Sequence, residues 1–443
     1  MIDARIVLWI RRFALLLSQM ILIVTFGCGP RPTPIIITLA TATESPSSLT
    51  QAPPTAQIAE TQAPALTPTP FVPRAVIKIF SHGPLSGEQA VFGKDMLRGA
   101  ELAVLQLSGP LHEFSYQVEL VPYDDQNIAQ TARVNAQEIV GDPEILCGVG
   151  HYDSDITIAT SDLYHLAGLA LVAPSATGAL LTDRNYLEVN RVIGRTDGQG
   201  TAAAQFAKAQ GYGSVYIISQ QIEGSLRNAE YFRRDSGSLG IQLLGMVVTE
   251  LTAENKNQII SGIMNTMPDV VYISSAANQA IPFLTELRAA GYAGAILGTE
   301  ALNDQSMVSL AGPSLVEGGG MYYTITSAPA QYYSNAAKFV QDFNTQYGTA
   351  PLSFAARAYD ATGVCLKAIE EASKANGGIP PTRGEVATAL RRLNNYDGIT
   401  GTYGFNGQGD PDPVQYYMYQ VVSVDAANWD QNPIIASYDV TPP

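Results

Sequence analysis

Three hydroxyl side chains on two neighbouring loops, Ser154, Ser175 and Thr177, offer the first chemistry in this chain: neutral donors that could receive an anion such as a carboxylate. They belong to ILCGVGHYDSDITIATSDLYHLAGLALVAPSAT, residues 145 to 177, where two short apolar runs each break into small, hydroxyl-rich residues. Ile145 to Val149 and Gly168 to Val172 read as buried strands of a parallel sheet, with Ile156 to His165 as the crossover helix between them. Ligands of open α/β sheets sit outside the carboxyl ends of the strands, which is where both loops fall. Ser154 also stands where the helix begins, so it either caps that helix or, with the backbone N–H groups that follow, holds an anion.

Catalytic alternatives are weak. His82, His112, His151 and His165 are the four histidines. His151 precedes Ser154 by three residues, yet no strained GxSxG turn accompanies them, and His151 reads as a structural loop residue. The His, Asp and Glu spacing offers no metal set, and neither GxxxxGK[ST] nor GxGxxG follows a strand. No enzyme, no metal and no cofactor are expected.

The elements that must position the hydroxyls alternate strand and helix along the chain from Arg74. Ala75 to Phe80, Tyr116 to Pro122, Ser214 to Ser219, Ile241 to Val248, Asp269 to Ser274 and Ala295 to Leu297 are strand-like. Helical patterns begin at Gly93 and cover Ile128 to Val140, Gly224 to Asp235, Lys256 to Asn265 and Asn278 to Ala290. This is the βα order of doubly wound parallel sheets, in a segment long enough for two of them. The loops after the strands share small residues, hydroxyls and isolated acids: GPLSGEQAVFG, HYDSD, PSAT, SQQIEGS, SSAAN and GTEALND, the last carrying Glu300. A site made of loop ends from two sheets lies between two lobes.

The N-terminus is an address. Arg5, Arg11 and Arg12 precede the apolar stretch Phe13 to Phe26, which is short for a bilayer span and ends in Gly27-Cys28. This resembles a bacterial lipoprotein signal, with Cys28 as the lipid-bearing residue and residues 1–28 as the signal segment, although Thr25 and Phe26 stand where such signals favour Leu and a small residue. An uncleaved signal anchor is the alternative. Residues 29–73, mostly Thr, Pro, Ala and Ser, cannot bury a core and read as a disordered tether, reaching up to ~100 Å if extended. Removing residues 1–27 takes away three arginines and one aspartate and moves the formal charge from −15 to −17. That acidity argues against nucleic acid and anionic lipid as partners. Cys147, inside a strand, and Cys365, on the stripe Phe354, Ala358, Ala361, Cys365, Ala368, Ile369, read as free buried thiols, with a mutual disulfide as the alternative.

From Ala75 to Val422 the chain resembles the type 1 periplasmic binding fold, and most closely the substrate-binding lipoproteins of branched-chain amino acid ABC transporters, the Leu/Ile/Val-binding group. The resemblance rests on GPLSG...FG at 83–93, YDDQN at 123–127, GHYDSDITIATSDLY at 150–164, APSAT at 173–177, TDGQG at 196–200, LRAAGY at 287–292, GTE at 298–300 and GTYGFNGQGD at 401–410. It implies two doubly wound, Rossmann-like lobes in residues 74–443, joined by a three-strand hinge with crossings near Gly194, Thr324 and Phe405. Lobe 1 would hold about 75–195 and 325–404, and lobe 2 about 196–324 and 405–430.

The resemblance also implies a site. Ser154 and Thr177 would bind a ligand α-carboxylate, and the backbone carbonyl of Ser175 together with Glu300 would take the ammonium. Phe92, Thr196, Ile222 and Ala276 would complete the pocket. Ile222 and Ala276 stand where branched-chain binders often carry tyrosines, and Thr196 where an acid is common, with Asp197 one residue late. The family's disulfide positions are Asn127 and Asp153, so that bridge is absent. The implied function is a monomeric extracytoplasmic solute-binding protein, anchored to the membrane, that delivers an amino acid or analogue to a permease. A ligand-sensing receptor coupled to signalling is the alternative.

Overall fold

The computed structural model describes Ile35–Ile36 and residues 72–442. The signal segment, Cys28 and most of the Thr/Pro-rich stretch lie outside the described residues. Fifteen strands are described: β1 Ile35–Ile36, β2 Ala75–Gly83, β3 Tyr116–Asp124, β4 Ile145–Gly150, β5 Ala170–Ala173, β6 Val189–Arg191, β7 Ser214–Ser219, β8 Gln242–Val248, β9 Val270–Ser274, β10 Ala295–Gly298, β11 Met321–Ile325, β12 Tyr396–Asp397, β13 Thr402–Tyr403, β14 Val414–Gln420 and β15 Ile434–Val440. They form a sheet in the order β1-β3-β2-β4-β5-β6, a second in the order β15-β14-β11-β10-β9-β7-β8, and the small β12-β13 ribbon.

Within the first sheet β2 to β6 pair in parallel, and in the second so do β7 to β11, as expected for strands buried on both faces and joined by helices. The β14–β15 hairpin adds to β11 antiparallel and closes that edge. Besides β6, β11, β12 and β13, which no strand-like run marked, two strands depart from the sequence expectation. Ile35–Ile36 lies inside the stretch expected to have no structure, yet these two β-branched residues pair antiparallel with Leu120 and Glu119 on the open edge of β3. β15 lies past residue 430, where the second lobe was expected to end; its alternating burial marks a half-exposed edge strand.

The chain returns from β11 to the first sheet through the helices Ala355–Ala375 and Arg383–Arg391, which pack on β4 and β5. The stripe read from the sequence is the reason: Ala358, Ala361, Cys365, Ala368 and Ile369 all enter the core around Ile77, Ile79 and Val149. The helix Ala90–Leu107 crosses it so closely that a Cβ on Gly99 would stand 2.0 Å from the Ala355 carbonyl oxygen. Cys147 and Cys365 are joined in a disulfide, which corrects the expectation of free thiols. Sequence alone cannot pair residues 218 apart; the register that stacks the helix on β4 does so.

Among the described residues no helix is long and apolar enough to cross a membrane.

Candidate functional site

The carboxyl-end loops of both sheets line two cavities that differ in chemistry. At the first end, the helix Ser154–Leu166 is capped by Asp153, whose carboxylate accepts from the N–H groups of Asp155 and Ile156. Ser154 is therefore not the cap. Its Oγ accepts from the Gly178 N–H at 3.0 Å, which ties the loop after β4 to the loop after β5. Thr196 Oγ1 donates to Thr177 Oγ1 at 2.7 Å, and the Thr196 N–H donates to the Thr177 carbonyl at 2.8 Å. Ser154, Thr177 and Thr196 thus lie on adjoining loops tied to one another by these bonds. Ser175 stands behind them, its Oγ donating to the His151 and Tyr152 carbonyls at 3.0 and 2.9 Å. That bond fixes the HYDSD loop.

A cavity of about 250 Å³ opens here, lined by Ser154, Gly178, Thr196, Glu223 and Arg227. Arg227 is a residue that sequence reasoning missed. It reaches from the helix Glu223–Ser238 to Asp183 at 2.9 Å, on the helical turn Leu180–Asp183 that follows Thr177, and so joins the two layers across the cleft. Asp197 is unavailable to a ligand because Arg195 holds both its oxygens, at 2.9 and 2.8 Å, in a nearly solvent-free cluster with Asp410 and Arg191 at the crossings.

The other end centres on Glu300, at the turn after β10. Its N–H donates to Gln199 Oε1 at 3.0 Å, and its Oε2 accepts from Thr326 Oγ1 at 3.1 Å. Burial pushes the carboxyl upward from the ordinary glutamate range, while bonds from Thr326 and Gln199 oppose the shift. A cavity of about 610 Å³ adjoins it. On the first-sheet side Phe92 stacks on Tyr152, with ring centroids 5.1 Å apart and planes 2° from parallel, and Phe354 meets Phe92 edge-on at 6.4 Å. Gly93 lets this helix start press on Pro84: a Cβ there would stand 2.0 Å from the Pro84 carbonyl oxygen. On the second-sheet side Tyr323 stacks on Tyr419 at 5.3 Å and on Trp429 at 6.3 Å, and both the Tyr323 hydroxyl and the Trp429 indole donate to Asn303 Oδ1.

Of the eight positions expected in the pocket, Phe92 and Glu300 line this larger cavity, and Ser154 and Thr196 line the smaller. Thr177 and Ser175 line neither: Thr177 is hydrogen-bonded to Thr196, and Ser175 to the His151 and Tyr152 carbonyls. Ile222, 54% exposed, and Ala276, also exposed, start the helices after β7 and β9 and line neither cavity. Tyr152, Phe354, Tyr419 and Trp429 carry the aromatic walls instead. Their signal in the sequence was faint, because they come from four separate loops and strands.

His82, Asp125 and His151 come together fully buried, with possible ligand atoms within 4.8 Å of one another, a grouping that the spacing did not show. These atoms are already hydrogen-bonded. His151 Nδ1 bonds to Asp125 Oδ2 at 2.7 Å and its Nε2 to Thr160 Oγ1 at 3.0 Å, while His82 Nδ1 meets the Tyr164 hydroxyl at 3.0 Å and its Nε2 the Asn135 amide. The cluster supports the HYDSD loop from below, a structural role for His151.

Two doubly wound layers, crossed by the chain three times and sharing a polar cleft, define a two-lobed solute-binding protein of the type 1 periplasmic fold. Residues 76–427 match the periplasmic binding protein family, and the chain belongs to that family, whose members bind solutes and are not enzymes. It is 28% identical over 347 residues to the leucine-, isoleucine-, valine-, threonine- and alanine-binding protein of Pseudomonas aeruginosa, covering 78% of this chain and 89% of that one. It is 26% identical over 339 residues to a Leu/Ile/Val-binding protein homolog of Brucella abortus, covering 76% and 88%. The leucine-binding protein of Thermotoga maritima shares the fold, with TM-score 0.62 and 23% identity over 83% of this chain and 99% of that one.

Proposed function

We propose that the chain captures an amino acid or a close analogue in the cleft, outside the cytoplasm, and hands it to the permease of an ABC transporter. One observation carries the reading: the cleft is polarised. Ser154, Thr177 and Thr196 offer hydroxyls to a carboxylate at one end, where Arg195 and Arg227 hold the nearby acids Asp197 and Glu223, and Glu300 offers a carboxylate to an ammonium at the other. Charge-assisted hydrogen bonds at both ends of a zwitterion are stronger than neutral ones, and neutral donors leave no bare cation when the ligand departs. The names of the relatives, a leucine-, isoleucine-, valine-, threonine- and alanine-binding protein and a Leu/Ile/Val-binding protein homolog, support the same class. The Cys147–Cys365 disulfide suits an oxidising compartment, and Cys28 supplies the anchor.

Calorimetry and thermal unfolding of the purified protein with leucine and with leucinamide test this. At 100 times its dissociation constant leucine should add about 2.7 kcal/mol of stability. Leucinamide, without the carboxylate, should bind far more weakly; equal binding of the two would remove Ser154 and Thr177 from the carboxylate role.

A further inference from the structure

The larger half of the cleft is more than an ammonium subsite. Besides Glu300 it is lined by a second acid, the exposed Asp430, on the 3-10 turn Ala426–Gln431 that precedes β15, and by no lysine, arginine or histidine. Arg357 lies behind the wall. Its guanidinium is buried and committed to the Val192 and Thr326 carbonyls, the Tyr403 and Tyr333 hydroxyls and the face of the Tyr333 ring. Aromatic side chains stand on both sides of the cavity, Phe92, Tyr152 and Phe354 opposite Tyr323, Tyr419 and Trp429. Glu300 also raises the Tyr152 phenol, after burial and Asp153, so the first-sheet wall lies within reach of its charge.

Glu300 and the exposed Asp430 face no base in this cavity, and they disfavour a second carboxylate there. They suit a cation, which the faces of aromatic rings also attract when it lies within about 6 Å of their centroids, most strongly over tryptophan. We propose that this compartment takes an organic cation, an alkylammonium or quaternary ammonium group, as an additional positive charge on the ligand. The inference rests on the amino-acid reading only for the far end of the ligand, the carboxylate at Ser154.

Calorimetry on the full-length protein with lysine, leucine, benzoate and tetramethylammonium separates the two readings. Lysine should bind at least about tenfold more tightly than leucine, tetramethylammonium should bind measurably, and benzoate should not. Asp430→Asn, an exposed change that leaves the core intact, should weaken lysine about tenfold and leucine far less. Leucine binding as tightly as lysine, or an Asp430→Asn effect equal on both, overturns the cation compartment and leaves the amino-acid reading standing. Binding of tetramethylammonium without either amino acid upholds the compartment and overturns the amino-acid reading. If none of the four binds, both fall.

Discussion

Glu300 is an acid that its surroundings keep from ionising freely. An unfolded chain would release this proton near 4.5, whereas burial holds it on to higher pH in the folded protein. Between those two values the native state binds the extra proton, so the Glu300 contribution to stability is fully present below 4.5 and is lost as pH rises through the native value. Chemical denaturation of the ligand-free protein across that window should show this fall, and Glu300→Gln should flatten it. A cationic ligand favours the ionised form, so affinity should rise with pH over the same window and lose that rise in Glu300→Gln. At the opposite end, Ser154→Ala removes the acceptor of the Gly178 N–H and, on the proposed reading, one donor to the ligand. Leucine affinity should drop by about ten- to a hundredfold, read by calorimetry, with the unfolding midpoint moving little.

Among the elements, the helix Ala355–Ala375 does the most to hold the first sheet together. It belongs to the chain after β11 yet fills the core of the earlier strands, and the Cys147–Cys365 bridge fastens it to β4. A cross-link between residues 218 apart restricts a large part of the unfolded chain. Replacing both cysteines with alanine should cost about 2–5 kcal/mol in denaturant titrations and make the protein indifferent to reducing agents. Equal stability of this variant and the parent would mean that helix packing alone secures the core. The sequence placed most of these elements within a few residues, because apolar runs and helical stripes are local signals. It missed the short strands β6, β11, β12 and β13, as well as β15, whose alternation is that of a half-exposed edge strand, and β1, a two-residue addition to an edge.

For the molecule as a whole, the Asp183–Arg227 pair is where one layer holds the other across the cleft beside Ser154. Arg195 also contacts Asp183, at 2.9 Å, so closure is linked to the charged cluster at the crossings. Both residues of the bridging pair remain partly exposed, so it should add less than about 1 kcal/mol to stability while biasing the domain angle. Asp183→Asn should widen the ligand-free cleft in solution scattering and leave the unfolding midpoint nearly unchanged. Scattering identical to that of the parent would show that the crossings alone set the angle.

The residues proposed to meet a ligand's two charged ends, Ser154, Thr177 and Glu300, could be singled out in the sequence because each stands in a loop just after a recognisable strand, where ligands of this architecture sit. The βα alternation was legible for the same local reason. Which side chains share a wall was not. Phe92, Tyr152, Phe354, Tyr323, Tyr419 and Trp429 become neighbours only when two sheets and three crossings bring distant segments together, and the same holds for Arg227 with Asp183 and for Cys147 with Cys365. Periodicity reports which face of an element is buried; what that face meets depends on contacts between segments far apart in the chain, and these only the tertiary structure decided.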